Sequence, residues 1–155
     1  VQLIDNKNGP LASAKQNLKF YETKSKVVYS LSSGISNIEP CIDTVAICGM
    51  GGELIAHIIE QSSYVKDSKI RLILQPMTHV EELRKTLFDN NFIIDKEVVA
   101  KDGDKLYIIL SCYYYCDKIA YTDLDLNVGK LPYNDDALSK EYLKKIYDKY
   151  NKKQH

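Results

Sequence analysis

Residues 43–59 read DTVAICGMGGELIAHII, an apolar run that passes without a break into a glycine cluster and then into a helical pattern. A strand that ends directly at a helix start cannot turn back as a hairpin. Its partner strand must lie parallel, reached through the helix. The run is apolar at nearly every position, as expected of a strand covered on both faces in a parallel sheet. The helix expected over residues 53–62 carries Leu54, Ile55, Ile58 and Ile59 on one side.

The surrounding pattern repeats this alternation. Residues 1–5 read as a strand ending in Asp5, and Gly9-Pro10 opens a helix with its apolar stripe at Leu11, Ala14 and Leu18. Residues 26–31 form the next strand, followed by the turn Ser32-Ser33-Gly34. Residues 70–74 form another, closed by Gln75-Pro76. Thr78 and Glu81 have the spacing of a capping box for a helix with Val80, Leu83 and Leu87 facing inward. Residues 92–100 and 105–115 are extended runs joined at Asp102-Gly103, too short a connection for anything but an antiparallel pair. Residues 134–153 place Leu138, Tyr142, Ile146 and Tyr150 every four positions, an amphipathic helix. The fold class that follows is three-layer α/β, a mostly parallel sheet with a terminal antiparallel hairpin and a C-terminal helix. The chain opens with Val1 already inside a strand, which reads as a piece of something longer.

Composition narrows the function classes. The 155 residues suit one domain, and 21 basic against 21 acidic side chains leave no net charge to draw the whole molecule onto nucleic acid. No apolar run reaches the roughly 18 residues of a membrane span, so no membrane partner is expected. Cys41, Cys48, Cys112 and Cys116 show no C-x-x-C pair and no His at ligand spacing. Cys112 and Cys116, four apart in a strand, would stand roughly 13 Å apart. The expectation is buried, reduced thiols, with no disulfide and no metal site.

Open α/β sheets take their ligands at the carboxyl ends of the strands. Four such ends are chemically suggestive here: Asp5, Ser33-Gly34, the 49–52 glycine turn and Gln75-Pro76. An acid past a strand can accept hydrogen bonds from ribose hydroxyls, small residues let a flat ring lie on main chain, and a glycine cluster leaves N–H groups at a helix start. Each also has a plain structural use: a solvated turn acid, or tight strand-to-helix packing. The glycines form neither a P-loop nor the G-x-G-x-x-G of a dinucleotide-binding dehydrogenase. His57 and His79 read as structural, and no nucleophile–base arrangement is present.

The order of parts resembles the class I S-adenosylmethionine-dependent methyltransferases, a Rossmann-like fold whose sheet ends in such a reversed hairpin. The motifs D-x-x-x-G-P-L-x-S-A-K-x-N from Asp5, D-T-V-A-I-C-G-M-G-G-E-L-I from Asp43, R-L-I-L-Q-P from Arg71 and D-G-D-K-L-Y from Asp102 are similar to those of the TrmK family, bacterial tRNA (adenine(22)-N(1))-methyltransferases. The resemblance implies S-adenosylmethionine as cofactor, tRNA as partner, a cytoplasmic monomer, and methyl transfer to N1 of a D-arm adenine. It implies cofactor contacts at Asp5, Ser33, Gly34, Gly49 and Met50. Gly49, Met50, Gly51, Gly52, Gln75 and Pro76 would position the reactants, with no general base. It further divides the chain into a partial methyltransferase core, 1–128, and the start of a C-terminal helical region, 129–155. Lys15, Lys19, Lys24, Lys26 and the tail lysines are the implied RNA contacts.

Three departures from the family pattern stand out. Its first strand and glycine-rich cofactor loop, which precede the position of Val1, are missing, so residues 1–155 alone are expected to be inactive. Ser33 replaces an acid, and Met77 replaces an Asn after Gln-Pro. The last two leave open a catalytically degenerate nucleotide-binding or interaction module of the same fold.

Overall fold

The computed structural model describes residues 1–21, 25–35 and 37–152. Strand β1 (Gln2–Asp5) pairs in parallel with β2 (Val28–Leu31), and helix α1 (Asn8–Leu18) connects them. Strand β3 (Thr44–Met50), helix α2 (Gly52–Glu60), strand β4 (Arg71–Pro76) and helix α3 (Val80–Asp89) follow as a second parallel unit. The hairpin is β5 (Phe92–Asp102) and β6 (Lys105–Tyr114), turning where Gly103 has φ +55°. β6 inserts antiparallel beside β4, giving the order β3-β4-β6-β5.

The parallel strands and terminal hairpin are those expected, but the strands lie in two sheets. Among the described residues β1 pairs only with β2, and β3 only with β4 on its ladder side. One edge of β1 and one of β3 have no ladder partner among the described residues. Ile35, Asn37, Glu39 and Ile42 tie the two units together. Gln2 Nε2 donates to Ser30 Oγ (2.9 Å) and to the Asn37 carbonyl (2.7 Å), while Gln2 Oε1 accepts from the Glu39 N–H at 2.9 Å. Ile35 enters the main core, and Tyr64 Oη donates to the Ile42 carbonyl at 2.7 Å.

β3 corrects one expectation. Val45 and Ile47 are buried, but Thr44, Ala46 and Cys48 are exposed, so only one face of this strand is covered. Helices α2 and α3 and the C-terminal helix pack on the face bearing Leu72, Leu74, Ile94, Leu110 and Cys112. The opposite face carries Arg71, which donates to Asp95 and Ser111 at 2.7 Å each and lies over the Tyr113 ring. An apolar run does not reveal that its second face lacks a cover.

The cysteines correct another. Cys112 is buried, whereas Cys41, Cys48 and Cys116 are exposed. Burial pushes the Cys112 thiol far above its ordinary range, with Asp95 and Glu97 adding to the effect. In native protein at pH 8, an aromatic disulfide reagent is expected to label Cys41, Cys48 and Cys116 and to reach Cys112 only after unfolding. Mass mapping of the labelled peptides checks this, and native labelling of Cys112 would contradict the packing.

Helix boundaries also shift locally. The Thr78–Glu81 capping box does not form. His79 takes the N-cap of α3 with φ 52° and makes no side-chain cap. Pro10 occupies the third position of α1 rather than the first. Between β6 and the tail lie a short helix α4 (Asp123–Val128) and a 3-10 turn (Leu131–Tyr133), neither evident in the hydropathy pattern. Here a Thr122–Asp125 capping box is present. The C-terminal helix α5 (Ala137–Asn151) is capped by Asp136, whose carboxylate accepts from the Ser139 N–H at 2.8 Å.

A buried ion pair docks this C-terminal segment. Arg84 on α3 and Glu97 on β5 have side chains 1% and 0% exposed. Arg84 Nε and Nη2 donate to the two Glu97 oxygens at 2.8 and 3.0 Å, and Nη1 donates to the Leu126 carbonyl at 2.7 Å. Glu97 Oε2 also accepts from the Lys130 N–H at 3.0 Å. Asn134 Nδ2 reaches the Glu97 carbonyl at 2.9 Å and Ser139 Oγ at 3.1 Å. Among the described residues no buried side-chain nitrogen or oxygen lacks a partner.

Candidate functional site

The loops after β1 and β2 are joined by main chain, the Ser32 N–H donating to the Asp5 carbonyl at 3.0 Å. Asp5 is half-buried, and its Oδ1 accepts from the Lys7 N–H at 2.8 Å. A carboxylate has about four lone-pair positions, so this bond leaves it able to receive hydroxyls. Ser33 is exposed. Gly34 has φ +69°, and a Cβ there would meet only Ile58 of α2, at an ordinary 3.6 Å. Backbone conformation, not crowding, explains this glycine.

After β3, Gly49 has φ +77° with nothing within 4 Å of where a Cβ would stand. Gly52 is the opposite case. Its Cβ would fall 2.1 Å from the His79 carbonyl oxygen. The first glycine sets a chain direction, and the last lets the start of α2 press onto the β4–α3 loop. Three bonds bind these loops: Gly49 N–H to Gln75 Oε1 (2.9 Å), Met77 N–H to the Met50 carbonyl (2.8 Å) and Gly52 N–H to the Thr78 carbonyl (2.8 Å). The expectation of freely available N–H groups therefore fails at Gly49 and Gly52, which spend them on the facing loop. The turn supplies open space and a rigid outline rather than an anion cradle.

The structure thus brings the 49–52 turn and Gln75-Pro76 into one assembly, and joins Asp5 to the Ser32 loop. These form two assemblies, first the Asp5–Ser32 loops and second the 49–52 turn with its facing loop. Gly34 approaches the second through α2. Three residues outside the predicted site set complete the turn: the Thr78 carbonyl, His79 in the left-handed region and the Met77 thioether. A non-glycine residue with positive φ carries no sequence signal of its own.

No group here has the setting of a general base. His57 is exposed, and His79 Nδ1 lies 3.1 Å from Thr78 Oγ1. No cluster of three or more metal-ligating side chains occurs among the described residues. Two cavities, of about 110 Å³ beside Phe88 and Tyr121 and about 330 Å³ between β1 and α1, are lined by none of the predicted site residues. Lys15, Lys19 and Lys26 are exposed, with Lys15 above the Tyr29 ring at 5.9 Å, while Lys24 lies outside the described residues. Of the tail lysines, Lys140 pairs with Asp135 and Lys144, Lys145, Lys149 and Lys152 are exposed, while Lys153 lies outside the described residues. Among the described residues no helix is long and apolar enough to cross a membrane.

A parallel βα array with an antiparallel terminal hairpin and a ligand rim at the strand ends is the plan of a Rossmann-like methyltransferase. The model of the methyltransferase domain family matches residues 1–110, and the chain belongs to that family. It is 32% identical over 125 residues to the tRNA (adenine(22)-N(1))-methyltransferase of Bacillus subtilis (strain 168), covering 80% of this chain and 52% of that protein. The chain therefore spans about half the length of the curated relative it matches. Among solved structures, a protein of the NADB-Rossmann superfamily from Streptococcus agalactiae is 33% identical with a TM-score of 0.79, covering 96% of this chain and 65% of that one. Streptococcus pneumoniae Sp1610 in complex with S-adenosyl-L-methionine is 28% identical with a TM-score of 0.75, covering 93% and 67%.

Proposed function

We propose that this chain is the core of an enzyme that methylates N1 of an adenine in the D-arm of tRNA, with S-adenosylmethionine as donor. The observation that carries the reading is the 32% identity over 125 residues to a tRNA (adenine(22)-N(1))-methyltransferase. The residues present fit the donor. Asp5 has carboxylate capacity for ribose hydroxyls, the Ser33-Gly34 main chain offers a flat surface for the nucleoside base, and Gly49 borders open space. When bound, the donor supplies a methyl group on sulfonium sulfur, open to in-line displacement. Gly49 and Met50 would meet the donor side, and Gly51, Gly52, Gln75 and Pro76 would hold the facing wall. Adenine N1 already carries a lone pair, so the chain's task is to orient two reactants rather than to remove a proton. Because N1 is buried in a Watson–Crick pair, the base must first be unpaired or extruded.

Within this reading the protein is a cytoplasmic monomer, with residues 1–128 as the methyltransferase core and 129–155 as the start of a helical region. The exposed lysines of α1 and α5 supply the phosphate contacts. Ser33 and Met77 favour a second reading, a module that binds the nucleotide without catalysis.

Calorimetry with S-adenosylmethionine and methyl transfer to unmodified tRNA, on the native polypeptide carrying this chain, separate the two. Binding with product formation removes the second reading, binding without product supports it, and no binding sinks both. Asp5→Ala is expected to weaken donor binding by about 10–100-fold, the worth of a charge-assisted hydrogen bond of about 1.5–3 kcal/mol. Unchanged affinity would leave Asp5 as a turn residue only.

A further inference from the structure

The chain has two methionines, and both stand on the rim. Met50 ends β3 half-buried, while Met77 follows β4 and is 49% exposed. Between them the Gln75 carboxamide has both N–H groups and one oxygen lone pair engaged. Its Oε1 holds the Gly49 N–H at 2.9 Å, and its Nε2 donates to the Pro76 carbonyl at 3.2 Å and to Met77 Sδ at 3.3 Å. No N–H of this amide remains to donate to the edge of a base, and a single lone pair of Oε1 is left. Its action is to pin the Gly49 turn on one side and a thioether on the other. A polarizable sulfur held at the surface gains about 0.3–1.5 kcal/mol against an aromatic ring. Across the Gln75 amide, a Cβ at Gly49 would meet no atom within 4 Å.

We infer that Met77 is the surface on which the planar ring of the acceptor base lies, and that Gln75 is the positioning residue that holds both this sulfur and the Gly49 turn. The inference rests on the methyl-transfer reading and deepens it. Recognition at this point is by the face of a heteroaromatic ring, not by hydrogen bonds to its edge. Met77 then replaces the edge contact of the family's Asn with a stacking contact.

Steady-state kinetics on the native polypeptide, with unmodified tRNA as varied substrate, test this. Met77→Ala and Met77→Gln are expected to raise KM for tRNA by about tenfold, with kcat and donor affinity within about twofold; tenfold corresponds to about 1.4 kcal/mol. Met77→Leu keeps an apolar surface of similar volume and is expected to stay within about threefold of wild type. Gln75→Ala is expected to lower kcat by releasing the turn. Gln75→Glu, which still accepts from Gly49, is expected to restore most of kcat while KM stays raised. An unchanged KM in both Met77→Ala and Met77→Gln, or a loss confined to kcat, overturns the inference while wild-type transfer keeps the underlying reading intact. Wild-type protein that transfers no methyl group removes both.

Discussion

Replacing Arg84 by Met while Glu97 stays in place is expected to cost about 3–5 kcal/mol of folding stability, the usual penalty for stranding one charge of a buried pair. Both side chains are almost wholly out of solvent, so Glu97 could not recover its hydration without opening the core. The loss spreads further, because the Leu126 and Asn127 carbonyls also rely on Arg84 Nη1. At Gly129, with φ +57°, a Cβ would stand 2.1 Å from Glu97 Oε2, so the chain passes closely over the pair. The double variant Arg84→Met, Glu97→Leu is expected to lose less than the two single variants summed, since it leaves no unpaired charge. Denaturant unfolding of the three proteins measures this. A single-variant loss under about 1 kcal/mol would mean that the pair is solvated in solution. Because the pair docks α4, Lys130 and Asn134, hydrogen exchange in α5 should rise with the same variants.

Gly52→Ala is expected to be the most damaging change in the rim, costing about 3 kcal/mol of stability and, on the proposed methyl-transfer reading, most of the activity. The clashing group is backbone, the His79 carbonyl oxygen at 2.1 Å with the Thr78 oxygen at 2.8 Å, so no side chain can swing away. The loops must part, and the Gly52 N–H to Thr78 carbonyl bond parts with them. The neighbouring glycines set the scale. Gly49→Ala meets no atoms but must hold φ +77°, a cost of about 1–2 kcal/mol. Gly51→Ala meets only the Thr78 hydroxyl at 3.2 Å, which can rotate, and should be nearly neutral. Thermal melts should therefore rank Gly51→Ala above Gly49→Ala above Gly52→Ala. A Gly52→Ala protein as stable as Gly51→Ala would show the loops to be apart in solution.

The 49–52 turn marks where sequence reasoning ends. That a strand, a glycine turn and a helix occur in that order was legible, because periodicity and glycine conformation are local properties. So were the hairpin at Gly103 and the amphipathic stripe of α5. Which glycine serves conformation and which serves contact was not legible, since that depends on a distant loop in a left-handed turn at His79. The same holds for the N–H groups, which the sequence suggests for a ligand and the fold gives to Gln75 and Thr78.

By itself the sequence determined the order of the strands and of the helices between them, and the parallel and antiparallel pairings, because each follows from short-range pattern and connection length. The tertiary structure alone decided that β3 is covered on one face, that three thiols are exposed, and that a buried Arg84–Glu97 pair fixes the C-terminal segment. Burial and charge pairing are properties of what lies opposite a residue, and no single segment carries that information.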